Sequence, residues 1–108
     1  MLVNNGDYNG NRIMKKSSIE KMTKPYTLEN MNDAYYDGVD YAFSFFNFQE
    51  PILSGTNASK GIYGWSGAHN THFWIDPKLK LFGLFMSRTR PFSWDISKNL
   101  ISNVYSNL

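Results

Sequence analysis

Between residues 61 and 88, three apolar-rich stretches are separated by two short segments typical of turns. We predict strands over residues 62–67, 71–75 and 79–87. The second is rich in β-branched and aromatic residues, which suit a pleated surface. Asn70 tolerates a positive φ, and Asp76 followed by Pro77 suits the opening of a β-turn. The pattern therefore predicts an antiparallel meander with turns at 68–70 and 76–78.

The third predicted strand is apolar on both of its faces. One face carries Leu79, Leu81, Gly83 and Phe85, and the other carries Lys80, Phe82, Leu84 and Met86. A strand of this kind expects cover on both sides of its sheet. The rest of the chain offers one long amphipathic helix, which is enough for one side. We therefore predict that one apolar face of this strand is left uncovered and that the isolated chain self-associates.

Two helices are predicted outside the meander. Ser17 with Glu20 three residues on forms the pattern of a capping box, and Pro25 ends that helix. Ser93 suits the N-cap of the second helix, and Asp95 suits its first turn. An amphipathic stripe then runs to the end of the chain and consists of Ile96, Leu100, Ile101, Val104 and Leu108.

The remaining segments complete an α+β fold. Residues 39–48 predict one further strand with apolar residues on both faces, and residues 26–38 predict a polar loop. We expect a single incomplete domain: short helix and loops over 1–38, antiparallel strands over 39–88, and a helix over 94–108 packed on one face of the sheet.

Composition narrows the classes of function. Aromatic residues make up 17% of the 108 residues, which indicates a packed body rather than disorder. The net charge is +2 without a Lys/Arg cluster, so no nucleic-acid partner is expected. With no cysteine, disulfides and thiolate metal sites are excluded. His69 and His72 have no cysteine nearby and only scattered carboxylates, so we interpret them as polar residues beside a turn, and no cofactor is expected.

Targeting signals are equally sparse. The chain has no apolar run of membrane-spanning length, and its start lacks the pattern of a signal peptide. The sequence therefore does not indicate a cellular compartment.

Trp65-Ser66-Gly67, with the turn, the Asp-Pro hairpin and the apolar return strand that follow, resembles the third sequence box of the serine β-lactamase-like hydrolases. This superfamily includes class C β-lactamases, penicillin-binding proteins and related carboxylesterases. The opening stretch LVNNGDYNGNRIMKKSSIEKMT is similar to the segment that follows their helical subdomain. The resemblance covers nearly the whole chain and implies a partial fold, with Met1 aligned to an interior position. In the family, an N-terminal strand pairs with the strand that matches residues 79–87, so the resemblance implies an open, apolar edge on that strand here.

The resemblance also implies two boxes that are missing here. The family's nucleophile is the serine of Ser-x-x-Lys, and a second box reads Tyr-x-Asn or Ser-x-Asn. Ser18 to Lys21 spells the first box but matches a surface helix of the family. Tyr105 to Asn107 spells the second but lies on the C-terminal helix. The chain is therefore similar to the C-terminal third of such a hydrolase and is expected to be inactive alone.

Within the third box, the resemblance implies a role for each residue. Trp65 stands where relatives carry Lys, His or Trp, and it supplies no charge for a substrate carboxylate. Ser66 is placed to donate a hydrogen bond to substrate, and Gly67 permits close approach of the acyl group. Ala68 gives the backbone N–H of the oxyanion hole. The expected substrate is a small ester or amide, in a protein completed by an N-terminal part.

Two alternatives remain open. One is a non-catalytic module that binds a ligand such as a glycan on exposed aromatic side chains, with Tyr63, Trp65 and Trp74 as candidates. The other is a nonfunctional gene fragment. The sequence leaves the choice among esterase, amidase, peptidase and β-lactamase open. Full-length relatives are often periplasmic or secreted, and some are cytoplasmic.

Overall fold

The protein is an antiparallel sheet with a helix on one face. The structure, a computed structural model, describes residues 1–26 and 37–108. In chain order the elements are a 3₁₀ turn (Leu2–Asn4), β1 (Asp7–Tyr8), β2 (Asn11–Arg12), α1 (Lys16–Thr23), β3 (Val39–Ala42), β4 (Phe45–Phe48), β5 (Tyr63–Gly67), β6 (Thr71–Asp76), β7 (Leu81–Phe85) and α2 (Trp94–Tyr105). Five strands pair in the order β3-β4-β5-β6-β7, which confirms the predicted α+β fold with an antiparallel meander.

Helix α2 covers one face of the sheet, as predicted. Ile101 of the helix is fully buried against side chains from β4 and β6. The core of this face consists of Val39, Phe46, Phe48, Ile62, Trp74 and Ile101. The predicted N-cap is present, because the Ser93 hydroxyl accepts the N–H of Asp95 at 3.2 Å.

The opposite face is covered only in part. Phe45, Tyr63 and Ile75 are buried there against residues of the N-terminal segment. The outer side chains of β7 lie beyond this cover: Phe82, Leu84 and Met86 are 68%, 64% and 72% exposed. Within the described residues no strand pairs with the outer edge of β7. The predicted open edge beside an apolar face is therefore present.

The prediction of one strand over residues 39–48 is wrong. The chain reverses at Phe43 and Ser44, so Ala42 pairs with Phe45 and the segment forms two antiparallel strands. Ser44 adopts a φ of 60°. Phe43 is not a turn residue, Ser44 is only a weak one, and most of the flanking residues are apolar, so the local signal for the reversal is weak.

The capping box at Ser17 is absent. Helix α1 begins at Lys16, and the N-cap residue Lys15 makes no side-chain capping bond. Glu20 instead lies 3.6 Å from the ammonium of Lys16. Most of the predicted loop over 26–38 lies outside the described residues.

Several element ends also differ from prediction. The third strand spans Leu81–Phe85 rather than residues 79–87, and it begins late because Lys80 takes a φ of 53° in the preceding turn. Helix α2 ends at Tyr105, and Leu108 beyond it is exposed. The amphipathic stripe therefore stops one turn before the end of the chain.

The β6–β7 turn is joined to the end of α2 by a buried carboxylate. Oδ1 of Asp76 accepts the backbone N–H groups of Lys78 and Leu79 at 2.8 and 2.9 Å. The hydroxyl of Tyr105 donates to Oδ2 at 2.6 Å. Burial by itself raises the pKa of Asp76, but these hydrogen bonds and one from Ser59 outweigh it and leave the pKa below its ordinary value of 3.8.

Stability is expected to fall in acid because of this carboxylate. A lowered pKa contributes stability that is present above pH 3.8 and lost as the pH falls through the folded-state pKa. Asp76→Asn is expected to lower the free energy of unfolding at pH 7 by about 1–3 kcal/mol and to flatten this acid dependence. Urea unfolding at several pH values measures both, with the exposed Asp37→Asn as control. An unchanged acid dependence in Asp76→Asn would contradict the assignment.

The isolated chain is expected to self-associate through β7 at roughly tens of micromolar, the range in which exposed strand edges associate. Leu84→Lys places a charge on the exposed face of β7 and should shift the chain toward monomer. Ile52→Lys, at an exposed loop position outside the sheet, is the matched control. Sedimentation velocity measures the distribution. A stable wild-type monomer without dye-binding apolar surface would contradict this expectation.

Candidate functional site

The end of β5 has one unpaired backbone edge. Strand β6 pairs with the whole of β5, from Tyr63 to Gly67. Strand β4 pairs with β5 only at Tyr63 and Gly64. Residues 65–67 therefore extend past β4, and no strand among the described residues pairs with their second edge. Unpaired N–H and C=O groups on such an edge can bind an extended ligand.

A groove of about 270 Å³ lies next to these residues, across β5, β6 and β7, on the face of the sheet opposite α2. It is lined by Trp65, Ser66, Gly67, Thr71, His72, Phe73, Leu84 and Met86. The structure thus brings together three of the four predicted site residues. The lining includes no Lys, Arg, Asp or Glu from the described parts of the chain, so it suits an uncharged, largely apolar ligand.

The fourth predicted residue, Ala68, begins the turn that follows. Asn70 N–H donates to the carbonyl of Gly67 at 3.0 Å, which closes a β-turn with Ala68 in its second position. Asn70 takes a φ of 59°, as predicted. Ala68 is exposed, and in residues 1–26 and 37–108 no acceptor takes its backbone N–H. That N–H is available to a ligand.

The side chain of Asn70 joins this turn to the start of α2. It is almost completely buried, and its amide nitrogen donates to the carbonyls of Thr89 and Pro91 at 3.1 and 3.0 Å. Its amide oxygen accepts the N–H of Ser93 at 2.8 Å. Sequence reasoning found only the backbone role of Asn70, because these partners lie about twenty residues away along the chain.

Ser66 contacts a buried histidine that sequence reasoning interpreted only as a polar residue. Ser66 Oγ lies 2.7 Å from Nδ1 of His72, and the two residues are cross-strand partners. Burial lowers the pKa of His72, so its ring is neutral at pH 7. The predicted turn at residues 68–70 already implied this pairing and was the signal that could have found the contact.

His69 and His72 lie in different surroundings. His69 is exposed in the turn, where its Nε2 lies 3.3 Å from a guanidinium nitrogen of Arg90. His72 is buried beside the start of α2. Across the described ranges, no three His, Cys, Asp or Glu residues are grouped so that they could hold a metal ion.

The structure shows the surroundings of Gly67 and the exposure of the three aromatic candidates. A Cβ at Gly67 would collide with the side-chain hydroxyl of Thr71, so a larger residue there requires that side chain to rotate away. Trp65 is 42% exposed, whereas Tyr63 and Trp74 are only 2% and 3% exposed. The prediction of three exposed aromatics as a ligand platform is therefore wrong, since two of them belong to the core.

Two segments spell the first and second boxes of the family, residues 18–21 and 105–107, and both lie away from the groove. Ser18 and Lys21 are on α1, which contributes no residue to the groove lining. The Tyr105 hydroxyl is bonded to Asp76 and has a structural role. Neither match joins the candidate site.

No protein-family model matches the chain, and no curated protein matches it. Among the described helices, none is long and apolar enough to cross a membrane. Any function therefore has to be argued from the groove, the open strand edge and the turn.

Proposed function

We propose that this chain is the C-terminal part of a serine hydrolase of the β-lactamase-like superfamily that acts on an ester or amide through an acyl-enzyme. Trp65, Ser66 and Gly67 form one wall of the site, and the N–H of Ala68 is one donor of the oxyanion hole. The nucleophilic serine belongs to an N-terminal part that completes the fold. The observation that carries the proposal is the unpaired edge of residues 65–67 next to the free N–H of Ala68.

The geometry suits acyl transfer. As the serine attacks the substrate carbonyl, negative charge develops on its oxygen, and a fixed backbone N–H stabilises that charge without reorganising. The N–H of Ala68 is free to take this role, and the open strand edge can hold the acyl portion alongside it. Because Trp65 carries no charge, the proposal favours a substrate without a carboxylate at this position.

The N-terminal part has a place to pack. The open edge of β7 and its exposed face, which includes Phe82 and Leu84, lie next to a second groove of about 330 Å³. The first residues of the chain, including Leu2 and Val3, form its other side. We propose that the missing part adds a strand at this edge and covers this face.

Reading the DNA upstream of the Met1 codon tests the proposal first. We expect an in-frame Ser-x-x-Lys and Tyr-x-Asn. The upstream polypeptide, produced together with this chain, should keep it soluble and react with a fluorophosphonate probe at the serine of Ser-x-x-Lys. A true promoter and start site directly before Met1, with neither box, would overturn the proposal.

The chain alone is expected to hydrolyse no activated ester above background, because it holds neither the nucleophile nor its lysine. A p-nitrophenyl ester assay with burst-phase detection measures this, and Ser18→Ala is the matched variant. Burst-phase acylation that disappears in Ser18→Ala would contradict the proposed division of the site between two parts.

A further inference from the structure

We propose that His72 is a positioning residue: its Nδ1–H donates to Ser66 Oγ and so leaves the Ser66 hydroxyl hydrogen free for a substrate. The inference rests on the proposed function and assigns a second residue to the same site. Ser66 is the single polar partner of the His72 ring among the described residues. The direction of this one hydrogen bond therefore decides what Ser66 can donate.

The surroundings of the ring favour one direction. A neutral imidazole has one N–H and one bare nitrogen. If Ser66 donated to Nδ1, the ring hydrogen would lie on Nε2, which is buried and has no partner in the described part of the chain. Among backbone groups, a buried N–H without an acceptor is rarer than a carbonyl short of a donor, and we carry this preference over to the ring. The hydrogen therefore belongs on Nδ1, and the bare nitrogen is Nε2.

The neighbouring aromatic rings do not offer Nε2–H an alternative acceptor. An N–H lies in the plane of its ring, so it points at the face of a neighbour only when the two rings are near perpendicular. Phe85, Phe92 and Trp94 make angles of 19°, 46° and 43° with the plane of His72. None has the perpendicular arrangement.

The consequence for Ser66 is a defined donor. Its oxygen accepts from His72, and no second partner among the described residues takes its own hydrogen. Ser66 is half-buried, its side chain lies with that of His72 on the face of the sheet that α2 covers, and it belongs to the stretch of β5 with an unpaired edge. A hydroxyl held in this way can donate to a substrate oxygen or nitrogen that lies along the edge.

Nitrogen-15 NMR of the ring tests the direction. His69→Gln leaves His72 as the single histidine, because the chain has two. In the histidine-labelled variant, studied in the solid state so that self-association does not interfere, we expect a neutral ring protonated at Nδ1. Ser66→Ala should reduce the share of this tautomer. A ring protonated at Nε2, or a tautomer unaffected by Ser66→Ala, would overturn the proposal.

Activity of the chain combined with its N-terminal part tests the role. His72→Asn keeps an N–H at the place of Nδ1, whereas His72→Leu removes it. We expect His72→Leu to lower kcat about tenfold, the equivalent of one ordinary hydrogen bond, and His72→Asn to restore most of the loss. If His72→Leu and His72→Asn are both folded and lower kcat equally, the positioning role of His72 is overturned.

The two arms separate this inference from the proposed function. If the wild-type chain combined with its N-terminal part forms no acyl-enzyme, the proposed function fails and the substrate role of Ser66 fails with it. If that combination is active but the His72 ring is protonated at Nε2, only the inference about His72 fails.

Discussion

Replacing Ala68 with proline is expected to slow acyl-enzyme formation by roughly 10²–10³-fold in the complete hydrolase, the cost of one lost oxyanion donor elsewhere. Proline removes the N–H that is free in the structure. It should leave the turn intact, because Ala68 occupies the second position of a β-turn, where proline is favoured. Stopped-flow measurement of acylation gives the rate.

Ala68→Gly is the matched control, since it alters the same side chain and keeps the N–H. Trp65→Ala should impair the enzyme less than Ala68→Pro, because it removes a wall of the groove and no oxyanion donor. Circular dichroism confirms that each variant is folded. Wild-type turnover in a folded Ala68→Pro enzyme would rule out the oxyanion role.

Asn70→Ala is expected to lower the free energy of unfolding by roughly 3 kcal/mol, among the larger effects of a single substitution. The change removes hydrogen bonds from an almost completely buried side chain to Thr89, Pro91 and Ser93 and leaves a cavity in its place. It also places a residue less tolerant of positive φ in the turn. Urea unfolding at low protein concentration measures the loss.

Asn70→Gly separates the two contributions, because glycine takes a positive φ without cost and makes none of the side-chain bonds. We expect it to lose most of the same stability. If Asn70→Gly were as stable as the wild type, the buried amide would contribute little and the role of Asn70 would be confined to its backbone.

The sequence predicted the meander because its two turns have explicit chemistry. Asn70 and the Asp76-Pro77 pair mark the reversals, and the strands between them are rich in residues that favour sheets. The reversal at Phe43 and Ser44 has no such mark, so it was missed. The helix start at Lys16 was missed for a related reason, since a better capping residue follows it.

The candidate site was predictable only in part. The roles of residues 65–68 were predicted from the resemblance. The pairing of Ser66 with His72 could have been inferred from the predicted turn between them. The open strand edge depends on where β4 stops pairing with β5, which is set by the long loop between them and by packing. The burial of Tyr63 and Trp74 depends on α2 and on the N-terminal segment, which local pattern does not place.

Strand β6 and helix α2 are matched in length. Asn70, just before the strand, holds the start of the helix at Ser93, and Asp76, at the end of the strand, holds the end of the helix at Tyr105. Six residue steps of strand span about 20 Å. Twelve steps of helix span about 18 Å, and the two elements run in the same direction.

Because both ends of α2 are bonded to residues at the two ends of β6, the length of the strand constrains the length of the helix. One extra turn in α2 would carry its last residues about 5.4 Å past Asp76, and two residues removed from β6 would produce a similar mismatch. Insertions and deletions should therefore be tolerated in the loop between β4 and β5 and excluded from both of these elements. A related chain that lengthens one of them must lengthen the other in proportion.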